Sequence, residues 1–405
     1  MKPILRAERM KPVHSDIRGP LYVEAMKRQK QGIDILKLNT GNPATFGFGL
    51  PDSIRNALME HMQDGVGYCD FKGMPQARQA ICDYETSKGI KGITPDDVFI
   101  GNGVSEVVSF ALTPLLNDGD EVLVPSPSYS LWGNSVYLED GKPVFYTCDE
   151  KAGWYPDIQD IRSKITDKTK AIVIINPNNP TGVLYPKEIL LEIIQVAREF
   201  GLLIFSDEIY DRLVMDGKQH ISLASLTEDV PVITLNGLSK SHCLCGYRCG
   251  WMVISGPREL TEDYRQGIIQ LTSLRLCANT MAQIVIPAAL DDMDTPASMV
   301  RPGGRIYEQR EATVRELEKI DGLSFVKNDA AFYVFPKLDV KKFNITNDKQ
   351  FAHDLLDATN ILLVPGSGFD WKDPDHFRIV MLPQADILSD AIRRMGTFLD
   401  GYKQK

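Results

Sequence analysis

The sequence predicts an α/β protein in two parts: a large domain with a mostly parallel, doubly wound sheet sandwiched by helices, and a smaller, discontinuous α+β domain. Three observations carry this expectation. Unbroken apolar runs of strand length, Ala171–Ile175, Leu202–Phe205 and Val232–Leu235, alternate with stretches of helical periodicity, the pattern of crossover-connected parallel strands. At 405 residues the chain exceeds one small core and suits two domains. Beyond Asp291 the chain changes character, with shorter apolar runs between helical stretches.

Taken in order, residues before Gly41 hold Pro3, Pro12 and Pro20 with little sheet signal, and are expected to pack across the small domain. From Asp52 to Lys88 the pattern is helical, interrupted by the turn that carries Tyr68 and Gly73. A strand at Asp97–Ile100 runs into Gly101–Glu106 and an apolar helix reaching Leu116. Strands at Glu121–Val124 and Val144–Thr147 precede the three apolar runs, and Trp251–Ser255 follows them. Past 291 come a helix at Arg305–Lys319 and short strands near Leu323–Val326, Phe332–Phe335, Ile361–Val364 and Phe377–Val380. The expected division is an N-terminal segment 1–50, a large domain 51–290 and a small domain 291–405.

Bulk properties narrow the function. Apolar residues make up 43% and charged residues 24%, ordinary for a soluble globular enzyme. A net charge of -9 argues against a nucleic-acid partner, which needs a basic face. No apolar run is long enough to span a membrane, and the first ten residues lack the apolar core of a secretory signal. Seven cysteines without framework spacing fit a reducing cytosol, and a cytoplasmic location is expected. Cys243, Cys245 and Cys249 stand close together beside His242, but no fourth ligand lies at zinc-like spacing, so no metal is expected.

The chemistry is concentrated where strands end, since ligands of open α/β sheets sit at strand tips. The run ending at Ile175 leads into Asn176-Pro-Asn-Asn-Pro-Thr-Gly182. The next ends in Ser206-Asp-Glu-Ile-Tyr210, and the third leads into Asn236-Gly-Leu-Ser-Lys240, with Arg248 beyond it. Successive tips therefore deliver an amide, a carboxylate with a phenol, and a lysine. Taken singly, the lysine reads as a solvated surface group, the Asp-Glu as a helix cap and the Asn-Pro as a plain turn. Together they read as a pyridoxal phosphate site, which needs an amine, an acid for the pyridine nitrogen, donors for the ring oxygen, a phosphate cradle and a stacking face. Lys240 supplies the amine, with a proton affinity expected to be lowered by burial and nearby cations. Asp207 supplies the acid, and Asn179 and Tyr210 the donors. Gly103, Val104 and Ser105 lie where a strand turns into a helix, whose free amides attract a dianion, and Arg248 adds a fork of donors. Tyr129 is the stacking aromatic, with a core or surface ring as the equal alternative.

These motifs, together with Gly246-Tyr-Arg-Cys-Gly-Trp251, resemble the class I, fold-type I pyridoxal phosphate aminotransferases over essentially the whole chain. The resemblance implies Lys240 as imine-forming lysine and proton carrier, and the roles above for the other residues. It further implies Tyr68 reaching the partner subunit's phosphate in a homodimer with shared active sites. Arg378 is implied to bind the substrate carboxylate, with the backbone at Gly41 and the Asn179 side chain. Asp16-Ile-Arg-Gly-Pro20, Ser273–Asn279, Arg301–Arg310 and Asp375–Arg378 are similar to the alanine aminotransferase group, which implies L-alanine and 2-oxoglutarate as substrates in a ping-pong reaction. Arg18 is the residue assigned to glutamate's second carboxylate, with a domain-interface salt bridge as the equal alternative. Two departures stand out: Ser15 where bacterial members often carry tyrosine, which enlarges the side-chain pocket, and Gly237 where many relatives offer a phosphate-binding serine. Transamination of aspartate, valine or aromatic donors, or a C–S lyase reaction on the same cofactor, remain the alternatives.

Overall fold

A computed structural model describes residues 2–405. Eight strands form the main sheet: β1 Val98–Asn102, β2 Glu121–Ser126, β3 Lys142–Asp149, β4 Tyr155–Pro156, β5 Thr169–Ile175, β6 Leu203–Asp207, β7 Val232–Gly237 and β8 Cys249–Ser255. Their spatial order is β1-β8-β7-β6-β5-β2-β3-β4. The inner ladder from β7 to β3 is parallel throughout. Strand β8 runs against both its neighbours, and short β4 runs against β3.

Burial on both faces explains why these strands read as continuous apolar runs rather than alternating ones. Along β5, Ile172 and Ile174 face a core shared with Leu190, Ile193 and Ala197 of the helix Lys187–Phe200. Ala171, Val173 and Ile175 face the opposite core, shared with Val107, Val108 and Ala111 of the helix Val104–Leu112 and with Ile268 of Arg258–Arg275. The first of these helices stops at Leu112, short of the expected Leu116. Pro114 lies just beyond and has no amide proton to return to the carbonyl of Phe110, so the helical ladder ends there.

A separate apolar cluster unites Leu38 with Leu317, Val334, Phe351, Leu355, Ile379, Leu388 and Met395. Leu36–Lys37 pairs in parallel with Ile361–Leu362, so the segment ahead of Gly41 is stitched to the C-terminal third. The strand expected near Ile361–Val364 is two strands. Ile361–Leu362 takes that parallel partner, while Val364–Pro365 pairs antiparallel with Phe377–Val380. Phe377–Val380 also pairs with Tyr333–Val334. No single helix among the described residues is long and apolar enough to cross a membrane.

Beneath the strand tips lies a buried ionic network. Lys88 bonds Glu85 and Glu208 at 2.7 Å each and Asp211 at 3.2 Å. Trp251 donates to Glu85 at 3.2 Å, and Tyr84 and Asn236 donate to Asp211 at 2.5 and 2.7 Å. The network ties the helix Pro75–Ser87 to the ends of β6, β7 and β8. Removing the Lys88 ammonium takes away the ion-pair partner that Glu85, Glu208 and Asp211 share. Lys88→Ala is therefore expected to destabilise the protein by about 3–5 kcal/mol, read as a lower midpoint in denaturant unfolding.

Candidate active site

Parallel register sets Ile175, Asp207 and Leu235 side by side on β5, β6 and β7, so three loops leave the sheet from one edge. The first, residues 176–182, is held by its own polar groups. Asn178 Oδ1 accepts from the Thr181 hydroxyl at 3.0 Å, and Asn176 Oδ1 accepts from the Tyr185 amide at 2.9 Å. Asn179 is left to face the pocket, where its Oδ1 accepts from Arg378 Nη1 at 2.9 Å.

Asp207 and Glu208 are adjacent and buried, yet differently placed. Glu208 turns back into the Lys88 network and also accepts from the Ser206 and Ser222 hydroxyls at 2.9 and 2.8 Å. Asp207 receives only neutral donors, Trp132 Nε1 at 3.1 Å and the Ile209 amide at 3.3 Å. Burial, with Glu208 nearby, pushes its carboxyl up to about 6.

Lys240 lies in the short helix Leu238–Ser241 and donates to the Gly41 carbonyl at 2.9 Å. The Cys245 thiol is 3.9 Å from its Nζ. Burial works against the charge, but Tyr333, Cys245 and Tyr129 outweigh it and hold the ammonium above the usual lysine range. This corrects the expectation of a lowered proton affinity: the neighbours that decide it are acceptors and phenols, with Arg378 the lesser, opposing influence.

Arg378 is fully buried. Its Nη2 donates to the Asn39 carbonyl, while its Nε has no partner. Its guanidinium lies between the rings of Tyr333 and Phe369, 4.5 and 4.6 Å from their centres. Its hydrogen bonds go to an amide oxygen and a carbonyl, so no anion in the ligand-free protein neutralises its charge. Tyr210 is buried with its hydroxyl 2.9 Å from that of Tyr333, and burial holds its phenol well above the usual range. Gly41 packs so tightly that a Cβ there would meet the Tyr333 hydroxyl at 2.3 Å.

Across β7, β8 and β1, Gly237 is level with Gly250 and Gly250 with Gly101, which brings the Arg248 and Lys240 loops to the N-terminus of Val104–Leu112. Gly103 caps that helix at φ +83°, and a Cβ there would meet the Arg248 guanidinium at 2.5 Å. The amides of Val104 and Ser105 begin the helix and lack intrahelical acceptors. A Cβ at Gly237 would stand 2.5 Å from the Cys249 carbonyl, so the serine of other family members has no room here. Cys243 points to the Met299 sulfur at 3.8 Å, Cys245 toward Lys240, and Cys249 is buried within β8; the three thiols do not converge.

Of the remaining expected residues, Tyr129 is close to Lys240 and Arg378, while Ser15, Arg18 and Tyr68 are exposed side chains. Tyr129 is half-buried on the loop after β2, which is tied to the C-terminal third by Ser126 Oγ donating to the Asp370 carbonyl at 2.7 Å and the Ser128 amide to the Phe369 carbonyl at 2.9 Å. Ser15 and Arg18 are exposed on a segment that crosses between the two parts. His14 bonds Asp370 at 3.1 Å, Lys349 bonds Asp16 at 3.2 Å, and the Ile17 carbonyl accepts from Asn39 at 2.8 Å. Tyr68 is 85% exposed. Sequence reasoning missed Trp132 and Tyr333. Trp132 stands three residues past Tyr129, one helical turn on, whereas Tyr333 sits inside an apolar run that marks it only as core.

The Asp207 environment has a measurable consequence in the ligand-free protein. The unfolded chain releases this proton near 3.8 and the folded chain near 6, so the native state binds more protons between those values and stability falls as pH rises through them. The loss attributable to Asp207 is about 3 kcal/mol. In Asp207→Asn that part of the decline is expected to vanish from chemical denaturation measured across pH 4 to 7.

Comparison with known proteins agrees with this geometry. Residues 33–392 match the family model described as aminotransferase class I and II. The chain is 49% identical over 404 residues, covering 100% of both chains, to the glutamate-pyruvate aminotransferase AlaA of Haemophilus influenzae. Among solved structures, an aminotransferase from Escherichia coli superimposes with a TM-score of 0.98 at 46% identity, covering 100% of both chains. The alanine aminotransferase of Pyrococcus furiosus does so with a TM-score of 0.93 at 41% identity, covering 98% of this chain and 100% of that one. A sheet whose tips carry Asn179, Asp207 and Lys240, and a likeness that runs the whole length of the chain, lead to one conclusion: the chain belongs to the class I and II aminotransferases, enzymes that work with pyridoxal phosphate.

Proposed function

We propose that this chain is an alanine transaminase, moving an amino group between L-alanine and 2-oxoglutarate, with pyruvate and L-glutamate as products, in two half-reactions at one site. The observation that carries the reading is a pair of buried, oppositely charged groups without ionic partners. The Asp207 carboxylate has only neutral donors, and the Arg378 guanidinium only neutral acceptors. A protonated pyridine nitrogen suits the first and an amino-acid carboxylate the second. Whole-length likeness to proteins named for alanine and pyruvate supports the choice of substrate.

Bound in this pocket, pyridoxal phosphate supplies the electron sink that makes the substrate Cα proton removable. The residues do the rest. Asp207 holds the ring nitrogen protonated. Asn179, whose Oδ1 serves Arg378, keeps its Nδ2 to donate to the ring oxygen, where Tyr210 donates as well. Gly103, Val104, Ser105 and Arg248 would hold the phosphate, and Tyr129 would offer its ring as the stacking face. Arg378, with Asn179 and the backbone at Gly41, orients the substrate carboxylate so that its Cα hydrogen faces Lys240. Lys240, an ammonium in the ligand-free protein, would take up that proton once cofactor and substrate binding have left its amine neutral, and would then return it as an acid.

Arg18 is the cation for the second carboxylate of glutamate in this reading. The ion pairs at its crossing are made by His14 and Asp16, which leaves the exposed Arg18 beside them. Ser15 widens the pocket next to it. The active unit is a cytoplasmic homodimer: Tyr68 projects from a face that also exposes Val66 and Leu274. Its two segments are tied by Thr280 to the Gly65 carbonyl at 2.7 Å and Arg275 to the Phe71 carbonyl at 3.2 Å. Residues 1–50 and 291–405 act together as the small domain that carries Arg378.

Three outcomes are expected. The purified protein should show a visible cofactor band that collapses on adding L-alanine without oxoacid, with pyruvate appearing in equal amount; collapse with aspartate or an aromatic amino acid instead would move the substrate. Lys240→Ala should abolish turnover while leaving the circular-dichroism spectrum and cofactor stoichiometry interpretable as a folded protein, and normal turnover would sink the assignment. Arg18→Ala should raise KM for 2-oxoglutarate by about tenfold or more while leaving that for pyruvate within about twofold.

A further inference from the structure

Tyr333 meets three parts of the site at once, and no sequence motif accounts for it. Its hydroxyl is 2.9 Å from that of Tyr210. Its ring face carries the Arg378 guanidinium at 4.5 Å. Its hydroxyl also closes on Gly41, where a Cβ would come within 2.3 Å. The backbone has little freedom: Tyr333 pairs with Val380 two residues beyond Arg378, and a Cβ at Gly182, in the loop that carries Asn179, would lie 2.9 Å from the Tyr333 carbonyl.

We propose that Tyr333 is a positioning residue that aims the Tyr210 hydroxyl at the cofactor's ring oxygen and steadies Arg378 for the substrate carboxylate, linking the two binding events. The proposal rests on the alanine transaminase reading above. Its logic is a proton count. A phenol has one proton to give. When Tyr210 gives its proton to the ring oxygen, the 2.9 Å contact can persist only if Tyr333 donates and Tyr210 accepts. Such a chain, Tyr333 to Tyr210 to ring oxygen, strengthens its terminal donor through mutual polarisation. The ring of Tyr333 contributes separately. With Phe369 on the other face at 4.6 Å, it holds the guanidinium plane by cation–π contact in a desolvated setting. The charged groups facing this pair are Lys240, whose ammonium Tyr333 favours, Arg378, and Asp207 on the side of Tyr210.

Hydroxyl and ring are separable. The holoenzymes of wild type, Tyr333→Phe, Tyr210→Phe, the double variant and Tyr333→Leu are titrated across pH while the visible cofactor band is followed, and kcat and KM for L-alanine are measured. Weaker donation to the ring oxygen leaves the bound chromophore holding its proton to higher pH. Tyr333→Phe should therefore raise the apparent pKa of the band by roughly half a unit or more and lower kcat several-fold, with KM within about twofold. Tyr210→Phe should raise it further, and adding Tyr333→Phe to it should cause no additional shift. Tyr333→Leu, which also removes the aromatic shelf, should raise KM about tenfold. A Tyr333→Phe band that titrates as in wild type, or equal shifts in the presence and absence of Tyr210, overturns the proposal and leaves the transaminase reading intact. A wild-type protein with no band that titrates or responds to L-alanine overturns both.

Discussion

The parallel register of β5, β6 and β7 decides what this site is made of. Ile175, Asp207 and Leu235 are level, and because side chains alternate along a strand, a slip of one residue exchanges the two faces. Asp207 and Glu208 show what hangs on that. In the observed register Asp207 looks into the pocket and Glu208 into the Lys88 network. A slip would send Asp207 toward Lys88 and turn Glu208 to the opposite face. The strongly apolar strands, buried on both faces, make such a slip prohibitive, since every side chain of one core would enter the other.

The distribution of charge follows the same division between scaffold and site. Below the strand tips, carboxylates are paired: Glu85, Glu208 and Asp211 share Lys88 and several neutral donors. Asp207 at the tip of β6, and Arg378 within Phe377–Val380, are buried without counter-ions. A charge held this way is unfavourable in the empty protein and favourable once a ligand of opposite sign arrives. The stable network braces the loops and leaves the two unpaired groups free for ligands of opposite charge.

Much of this was legible from residue order, and the exceptions have specific causes. Asn176–Gly182, Ser206–Tyr210 and Asn236–Lys240 announce themselves because turn residues and polar groups follow runs that are purely apolar. The sheet strands were readable for the same reason. The split of the strand near Ile361–Val364 was not, since local periodicity carries no information about which partner a short segment will take; the helix end at Leu112 was marked locally by Pro114, but the apolar run continues past it to Leu116. Trp132 and Tyr333 were missed because an aromatic in an apolar stretch looks like core whether or not its polar atom meets a functional group. The charge of Lys240 was misjudged because it depends on phenols and a thiol brought from distant segments, and Gly237 turned out to be a matter of space against Cys249.

The sequence by itself determined the fold class and the order in which the strand tips follow one another, because hydrophobic periodicity and turn chemistry are local properties written within a few residues. Only the tertiary structure decided which carboxylate of the Asp-Glu pair faces the pocket, that Arg378 lies between two aromatic rings with a neutral amide for company, and that Tyr333 joins Tyr210 to that arginine. Those outcomes depend on register and on packing between residues more than a hundred positions apart, and no local pattern encodes a distance.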